Sequence, residues 1–368
     1  MLKILFIDDD PSSIVSLKED IEKEIKDVKH ETTGFEQANS VLCDFLPDVV
    51  VLDIFRGTAS PDGDVAGMDN YQFIWGDWFC PIVVYSARPD DVSDRITKHP
   101  FVGTVQKGSD SESKVISCIR DFLPHIEALN TIQADIRKHV NRELQLIASR
   151  IFPQIEDVGE RSAVLARAAR RRIAAMMDEP QERPIASWEQ YLYPASGTNL
   201  LSGDIIRVSR SDEQDPLNYR IVLTPSCDLV RGGHQTPKVE KALVARCVEI
   251  SKLLLEFGAD PNTRRDKLKD KLLNFLHQGY GKFCLPLPAL PGILPPMTVQ
   301  LKNLELIDLD RIGNNNNDHD YVRVVSVDSP FREMITWAYL QITGRPGIPE
   351  RDFNAWADEI CDAVTPAD

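Results

Sequence analysis

The sequence predicts a multi-domain chain: a doubly wound α/β fold with five parallel strands, then a helical connector, then an α+β domain with a small barrel or curled sheet. Three observations carry this. Ile4-Leu5-Phe6-Ile7, Val49-Val50-Val51-Leu52, Ile82-Val83-Val84-Tyr85 and Phe101-Val102-Gly103-Thr104-Val105 are short apolar runs separated by helical stretches, the pattern of strands buried on both faces. From Ile126 to Ile151 apolar residues recur at steps of three and four, an amphipathic helix. Beyond Pro184 strand-like and helical segments alternate irregularly around a proline-rich stretch.

Each of the four early runs ends on a functional group: Asp8 and Asp9 after the first, Asp53 after the second, Ser86 after the third and Lys107 after the fourth. In an open α/β sheet such groups collect at the carboxyl ends of the strands. Three carboxylates, a hydroxyl and an ammonium would then share one pocket, a magnesium-dependent phosphoryl-acceptor site. Mg²⁺ takes carboxylate oxygens, and three crowded carboxylates need a cation to offset their repulsion. A carboxylate attacking phosphorus also needs positive charge near the equatorial oxygens. The plainer reading, with Asp8-Asp9-Asp10 a surface acidic run and Asp53 a strand-end cap, leaves Ser86 and Lys107 without a reason.

With these residues the segment Met1 to Pro124 resembles the receiver domain of bacterial two-component response regulators. Lys3-Ile-Leu-Phe-Ile-Asp-Asp-Asp-Pro11, Pro47-Asp-Val-Val-Val-Leu-Asp53, Pro81-Ile-Val-Val-Tyr-Ser-Ala87 and Val105-Gln-Lys107 carry the likeness. The resemblance implies that Asp53 accepts a phosphoryl group from a histidine kinase or phosphotransfer protein. It implies that Asp8 and Asp9 hold Mg²⁺ with Asp53 and the backbone carbonyl of Phe55, that Lys107 pairs with the phosphoryl oxygens, and that Ser86 swings to bond them. The chain departs from the family in three places. The stretch from Phe55 to Asp69 reads as a long loop through Gly57, Pro61, Gly63 and Gly67. Thr104 stands where an aromatic switch residue is usual, and Gly108 where a proline often follows the lysine.

At 368 residues the chain exceeds one receiver, and 42% hydrophobic content suits a globular protein. There is no secretory signal pattern and no apolar run near 18 residues, so a cytoplasmic location without membrane association is expected. Seven scattered cysteines argue against a disulfide framework. The net charge is −15; residues 1–124 hold 23 acidic and 12 basic groups, or −11, which leaves −4 for the rest. This acidity argues against nonspecific nucleic-acid binding by the first domain.

The connector, residues 125–180, reads as two helices. The first carries Ile126, Leu129, Ile132, Ile136, Val140, Leu144, Ile147 and Ile151 and stops at Pro153; the second spans about Glu156 to Asp178. Such a pair either dimerises as a hairpin, giving a homodimer, or packs on the C-terminal domain. The second helix holds Arg161, Arg167, Arg170, Arg171 and Arg172, a cluster able to bind phosphate backbones or an acidic surface. Arg170 to Arg172 span most of a turn and cannot share one narrow face, and no helix-turn-helix accompanies them, so nucleic acid is not the favoured partner.

The effector domain is expected over residues 185–368, after a linker at Pro180 to Pro184. Gly203 to Val208 and Tyr219 to Thr224 read as strands, Lys238 to Phe257 as holding a helix and Arg264 to His277 as another. Phe283 to Pro296 suits an edge strand. Val299 to Leu309 and Tyr321 to Val327 read as strands about a polar loop at 313–317, and Phe331 to Thr343 and Glu350 to Val364 as closing helices. Thr224-Pro-Ser-Cys-Asp-Leu229 places Cys227 on a turn after a strand, next to Asp228 and before His234. These three would make a catalytic thiol site, or Cys227, His234, Cys247 and Cys284 a zinc set; an inert buried thiol is the plainer alternative. No Gly-x4-Gly-Lys-Ser/Thr loop, Gly-x-Ser-x-Gly elbow or His-Glu-x-x-His occurs. The expected function is a response regulator of a phosphorelay that switches a C-terminal effector. A receiver-gated enzyme at Cys227, Asp228 and His234, or a DNA-binding regulator using residues 161–172, stands as the alternative.

Overall fold

The computed structural model describes residues 1–57, 65–177, 184–230, 236–256, 264–278, 281, 283–314, 318–344 and 352–364. The chain divides into two units, Met1–Met176 and Met177–Asp368.

The first unit is built on a five-stranded parallel sheet of β1 (Leu2–Ile7), β2 (Val28–Thr33), β3 (Val49–Leu52), β4 (Ile82–Ser86) and β5 (Val102–Gln106) in the order β2-β1-β3-β4-β5. This is a doubly wound order whose crevice lies at the carboxyl ends of β1 and β3. Strand alternation sorts the core. Leu5, Ile7, Val50 and Leu52 pack beneath α2 (Ala38–Phe45) and α3 (Gly67–Phe73). Ile4, Phe6, Val49 and Val51 face α1 (Val15–Glu24) and the start of α4 (Ser111–Arg150). Every residue of β3 and β4 is buried, as their unbroken apolar runs require.

Two expectations need correction here. Gly67, Met68 and Asp69, read as loop, open helix α3; residues 58–64, with Pro61 and Gly63, lie outside the described residues. The expected boundary at Pro124 falls inside a single 40-residue helix. Proline costs that helix one backbone bond, but Phe122 and Ile126 on either side of it are both buried against the sheet and hold the run together. Helix α4 ends at Arg150, a 3-10 turn at Phe152–Gln154 follows, and α5 (Val158–Met177) returns, with Arg172 reaching Glu143 across the pair.

The second unit carries an eight-stranded sheet of β6 (Tyr191–Leu192), β7 (Asp204–Val208), β8 (Tyr219–Val222), β9 (Lys241–Glu249), β10 (Cys284–Leu287), β11 (Met297–Asp308), β12 (Ile312–Gly313) and β13 (Tyr321–Val327). The order is β10-β11-β9-β8-β7-β13-β12 with β6 on β13, antiparallel except for β12 and β13. Among the described residues the path stays open between β10 and β12, so of the small barrel or curled sheet expected, the described strands form an open sheet. It bends at register shifts between Gln300 and Leu304 and between Arg323 and Val325. The helix expected in Lys238 to Phe257 is mostly strand β9, leaving only α7 (Lys252–Glu256) helical. Pairing with β8 and β11 on both sides decides it: Ala242, Val244, Ala245 and Cys247 are all buried in the sheet. A short α6 (Ser226–Leu229) follows β8, α8 (Arg265–Gln278) precedes β10, and α9 (Phe331–Thr343) and α10 (Phe353–Val364) close the chain. Among the described residues no helix is long and apolar enough to cross a membrane.

Candidate functional site

The carboxyl ends of β1, β3, β4 and β5 bring Asp8, Asp53, Ser86 and Lys107 together. Asp8 and Asp53 are 3% and 8% exposed, so their charges need partners. Asp53 Oδ1 accepts from the amides of Ile54 (2.6 Å) and Phe55 (3.3 Å) and from the Ser86 hydroxyl (2.6 Å). Asp53 Oδ2 accepts from the Lys107 ammonium at 2.6 Å. The same ammonium donates to Asp8 Oδ2 at 2.8 Å and so bridges the two carboxylates. Burial pulls the lysine pKa down, but its hydrogen bonds to Asp53 and Asp8 and their charges outweigh this, leaving it above the usual lysine value. Lys107 is therefore a fixed cation at neutral pH.

The backbone sets these positions. The Lys107 amide donates to the Ser86 carbonyl (2.8 Å), tying the β5 exit to the β4 exit, and the Asp53 amide donates to Ile7 O (2.9 Å). Asp8 Oδ1 accepts from the amide of Asp10 and Oδ2 from the Ser13 hydroxyl, which fixes its rotamer. Asp9 is exposed, and its Oδ2 accepts from the amide of Gly57 at 2.7 Å. Gly57 lies at φ +70°, in the left-handed region.

Three contributors escaped the sequence reading. Ser13 orients Asp8. Gly67 lets α3 lie against the Asp53 backbone: an added Cβ would stand 2.2 Å from Asp53 O. Tyr85, on the sheet face opposite Ser86, shares a hydrogen bond of 2.9 Å with Ser111 Oγ at the first residue of α4 and lies 5.4 Å, centroid to nitrogen, beneath the Lys107 ammonium. An apolar strand disguises Tyr85 as plain core; only its position beside Ser86 marks it. Thr104, expected as a switch residue, is exposed on β5 opposite Val84. The aromatic contact to the lysine comes from β4 instead.

The donor chemistry of Asp8, Asp9 and Asp53 fits a hard divalent cation, since two of these three carboxylates, Asp8 and Asp53, share a single ammonium. In the folded arrangement Lys107 lies between two of them, and among the described residues no set of three acidic, histidine or cysteine side chains is drawn close enough to grip an ion.

Of the expected effector site, Cys227 and Asp228 lie among the described residues. Cys227 is exposed on α6, with Sγ 3.6 Å from Asp228 Oδ1, and that carboxylate already pairs with Lys238 at 3.2 Å. His234 lies outside the described residues. Cys247 and Cys284 are buried within β9 and β10, where burial pushes the Cys247 thiol up to about 12. On α5, Arg172 pairs with Glu143 and Arg161 donates to Ile155 O, whereas Arg167, Arg170 and Arg171, spaced i, i+3, i+4, form one exposed stripe.

No family model matches the chain, and no curated protein does. Several solved structures are similar to part of it. A two-component transcriptional regulator AraC from Clostridium phytofermentans ISDg is 19% identical over 34% of this chain and 97% of that one, with a TM-score of 0.25. The REC domain of the PhyR response regulator from Erythrobacter litoralis is 23% identical over 32% and 86%, with a TM-score of 0.26. The BeF3-activated N-terminal receiver domain of RstA from Klebsiella pneumoniae is 20% identical over 32% and 95%, with a TM-score of 0.24.

Proposed function

We propose that the first unit is a phosphoryl-accepting switch of the response-regulator kind, with Asp53 the acceptor. The observation that supports this is the division of labour on one carboxylate. Oδ1 is engaged by two amides and the Ser86 hydroxyl, while among the described residues Oδ2 meets the Lys107 ammonium alone. Oδ2 is thus the oxygen able to attack phosphorus. As the new O–P bond forms, the bond from phosphorus to the donor, a phosphohistidine of a kinase or phosphotransfer protein, breaks with its electron pair leaving on the donor nitrogen. Mg²⁺, held by Asp8, Asp9, Asp53 and the Phe55 carbonyl, would supply charge neutralisation for the transferring group. Lys107 would slide from Oδ2 to a phosphoryl oxygen, and Ser86 would turn its hydroxyl from Oδ1 to another, each forming a charge-assisted hydrogen bond. Tyr85 and Ser111 would pass the change to α4, the helix that runs on from the sheet to α5, and so along the chain to the effector.

The test is intact mass of the chain incubated with Mg²⁺ and a small phosphoryl donor such as acetyl phosphate. One phosphoryl group is expected on the wild type and none on Asp53→Asn, whose amide keeps the Oδ1 contacts. An unmodified wild type, or an equally modified Asp53→Asn, overturns the assignment.

A further inference from the structure

Burial along α4 stops abruptly. Val115, Ile116, Ile119, Phe122 and Ile126 are buried against the sheet. From Glu127 to Ala175 no described residue is buried. Yet this stretch carries a stripe without a single charge: Ile132, Ile136, Val140, Leu144, Ile147 and Ile151, at steps of three and four. Helix α5 covers it only in part, leaving Ile132 56%, Ile136 39% and Ile151 46% exposed. Two helices in contact cannot close a core by themselves; a second layer is required.

The charges say which face a two-fold contact would use. Residues 125–177 hold nine basic and six acidic groups, a net +3. The basic groups of α5 include the outward stripe of Arg167, Arg170 and Arg171. In a two-fold contact each residue near the axis meets its own copy, so an arginine stripe at the axis would repel itself. The α4 stripe, being uncharged, has no such penalty. We infer that the α4–α5 hairpin pairs with the hairpin of a second copy of this chain, forming a four-helix bundle with the two α4 helices at the axis and the α5 arginines outside.

The dimensions suit this. About 20 residues per arm give a face roughly 30 Å long, and two helices packed 8–10 Å apart make it about 20 Å wide. That footprint is of the order of the ~800 Å² per partner that specific interfaces bury. The pairing uses residues 127–177 alone and needs no phosphoryl group, so it stands apart from the assignment of Asp53.

The experiment is light-scattering mass of the full chain without any phosphoryl donor, for the wild type and for the double variant Ile132→Glu, Ile136→Glu. Both positions are exposed in the single chain, so the variant should fold. Twice the chain mass is expected for the wild type at micromolar concentration. Self-association should weaken at least about 100-fold in the variant, because each glutamate would carry an unpaired carboxylate into the seam. Far-UV circular dichroism and acetyl-phosphate labelling at Asp53 should be unchanged. A wild type at single-chain mass, or a variant that dimerises as well as the wild type, overturns the inference; an oligomer lost together with helical signal is resolved by Ile132→Ser, Ile136→Ser, which must weaken the dimer while keeping the helix.

Discussion

At Gly67 the fold leaves no space for a side chain. Its amide donates to Ile54 O, and a Cβ there would stand 2.2 Å from Asp53 O and 2.7 Å from Ile54 Cα, atoms of a backbone that cannot swing aside. Gly67→Ala is expected to displace α3 or the Asp53 turn and to cost about 1–3 kcal/mol, read from the urea midpoint. Because the displaced atoms belong to the acceptor, acetyl-phosphate labelling should fall as well; a variant with wild-type midpoint and labelling would show that the close approach has no consequence. The residues of this site differ in how visible they were. Asp8, Asp53, Ser86 and Lys107 could be found because strand ends are marked by the apolar runs before them, and a carboxylate, hydroxyl or ammonium there has no structural excuse. Ser13, Gly67 and Tyr85 act through geometry: a hydroxyl one turn away, a missing side chain, a ring on the far face of a strand. Nothing in residue type announces those roles.

Among the elements, β9 and α4 show which patterns a sequence can hide. Lys241–Glu249 has helix-compatible composition, and only its two neighbouring strands, distant in the chain, make it a strand. Tyr321–Val327 was readable by contrast, since its β-branched run is bounded by polar loops on both sides. The sequence starts the connector helix only after Pro124, whereas in the fold α4 begins at Ser111 and carries that proline inside it, where it is costly. The fold accepts that cost, and the cost can be recovered. Pro124 is exposed, so Pro124→Ala removes no core contact and restores a backbone donor. The variant should gain about 1–3 kcal/mol in the first unit, the interior-helix penalty less the entropy that proline removes from the unfolded chain. Thermal unfolding followed at 222 nm checks it. A loss of stability would mean that the proline itself helps seat Phe122 and Ile126 together on the sheet.

At the scale of the whole molecule, each unit has its own apolar interior, and each interior holds a thiol that reports on it. Cys80 is buried in the first unit and Cys247 in the second, and burial raises each thiol to about 12. Cys43 and Cys227 are exposed. At neutral pH an alkylating reagent should therefore modify Cys43 and Cys227 in the native chain and leave Cys80 and Cys247 untouched until denaturant opens their unit. Because Cys80 lies in a core cluster of the first unit and Cys247 in one of the second, protection of the two should vanish at separate denaturant concentrations, with peptide mapping assigning each; simultaneous loss would show one cooperative body instead. The same thiols set the sign of the alkaline limb. Their folded-state pKa lies above the unfolded value of about 8.5, so the folded chain binds more protons than the unfolded chain between the two values. The stability they confer is complete below about pH 8.5 and is lost progressively as pH rises toward the folded value. Cys80→Ala and Cys247→Ala should each flatten the decline in stability above pH 9 for its own unit alone, and a decline unchanged in both variants would place its origin in other groups.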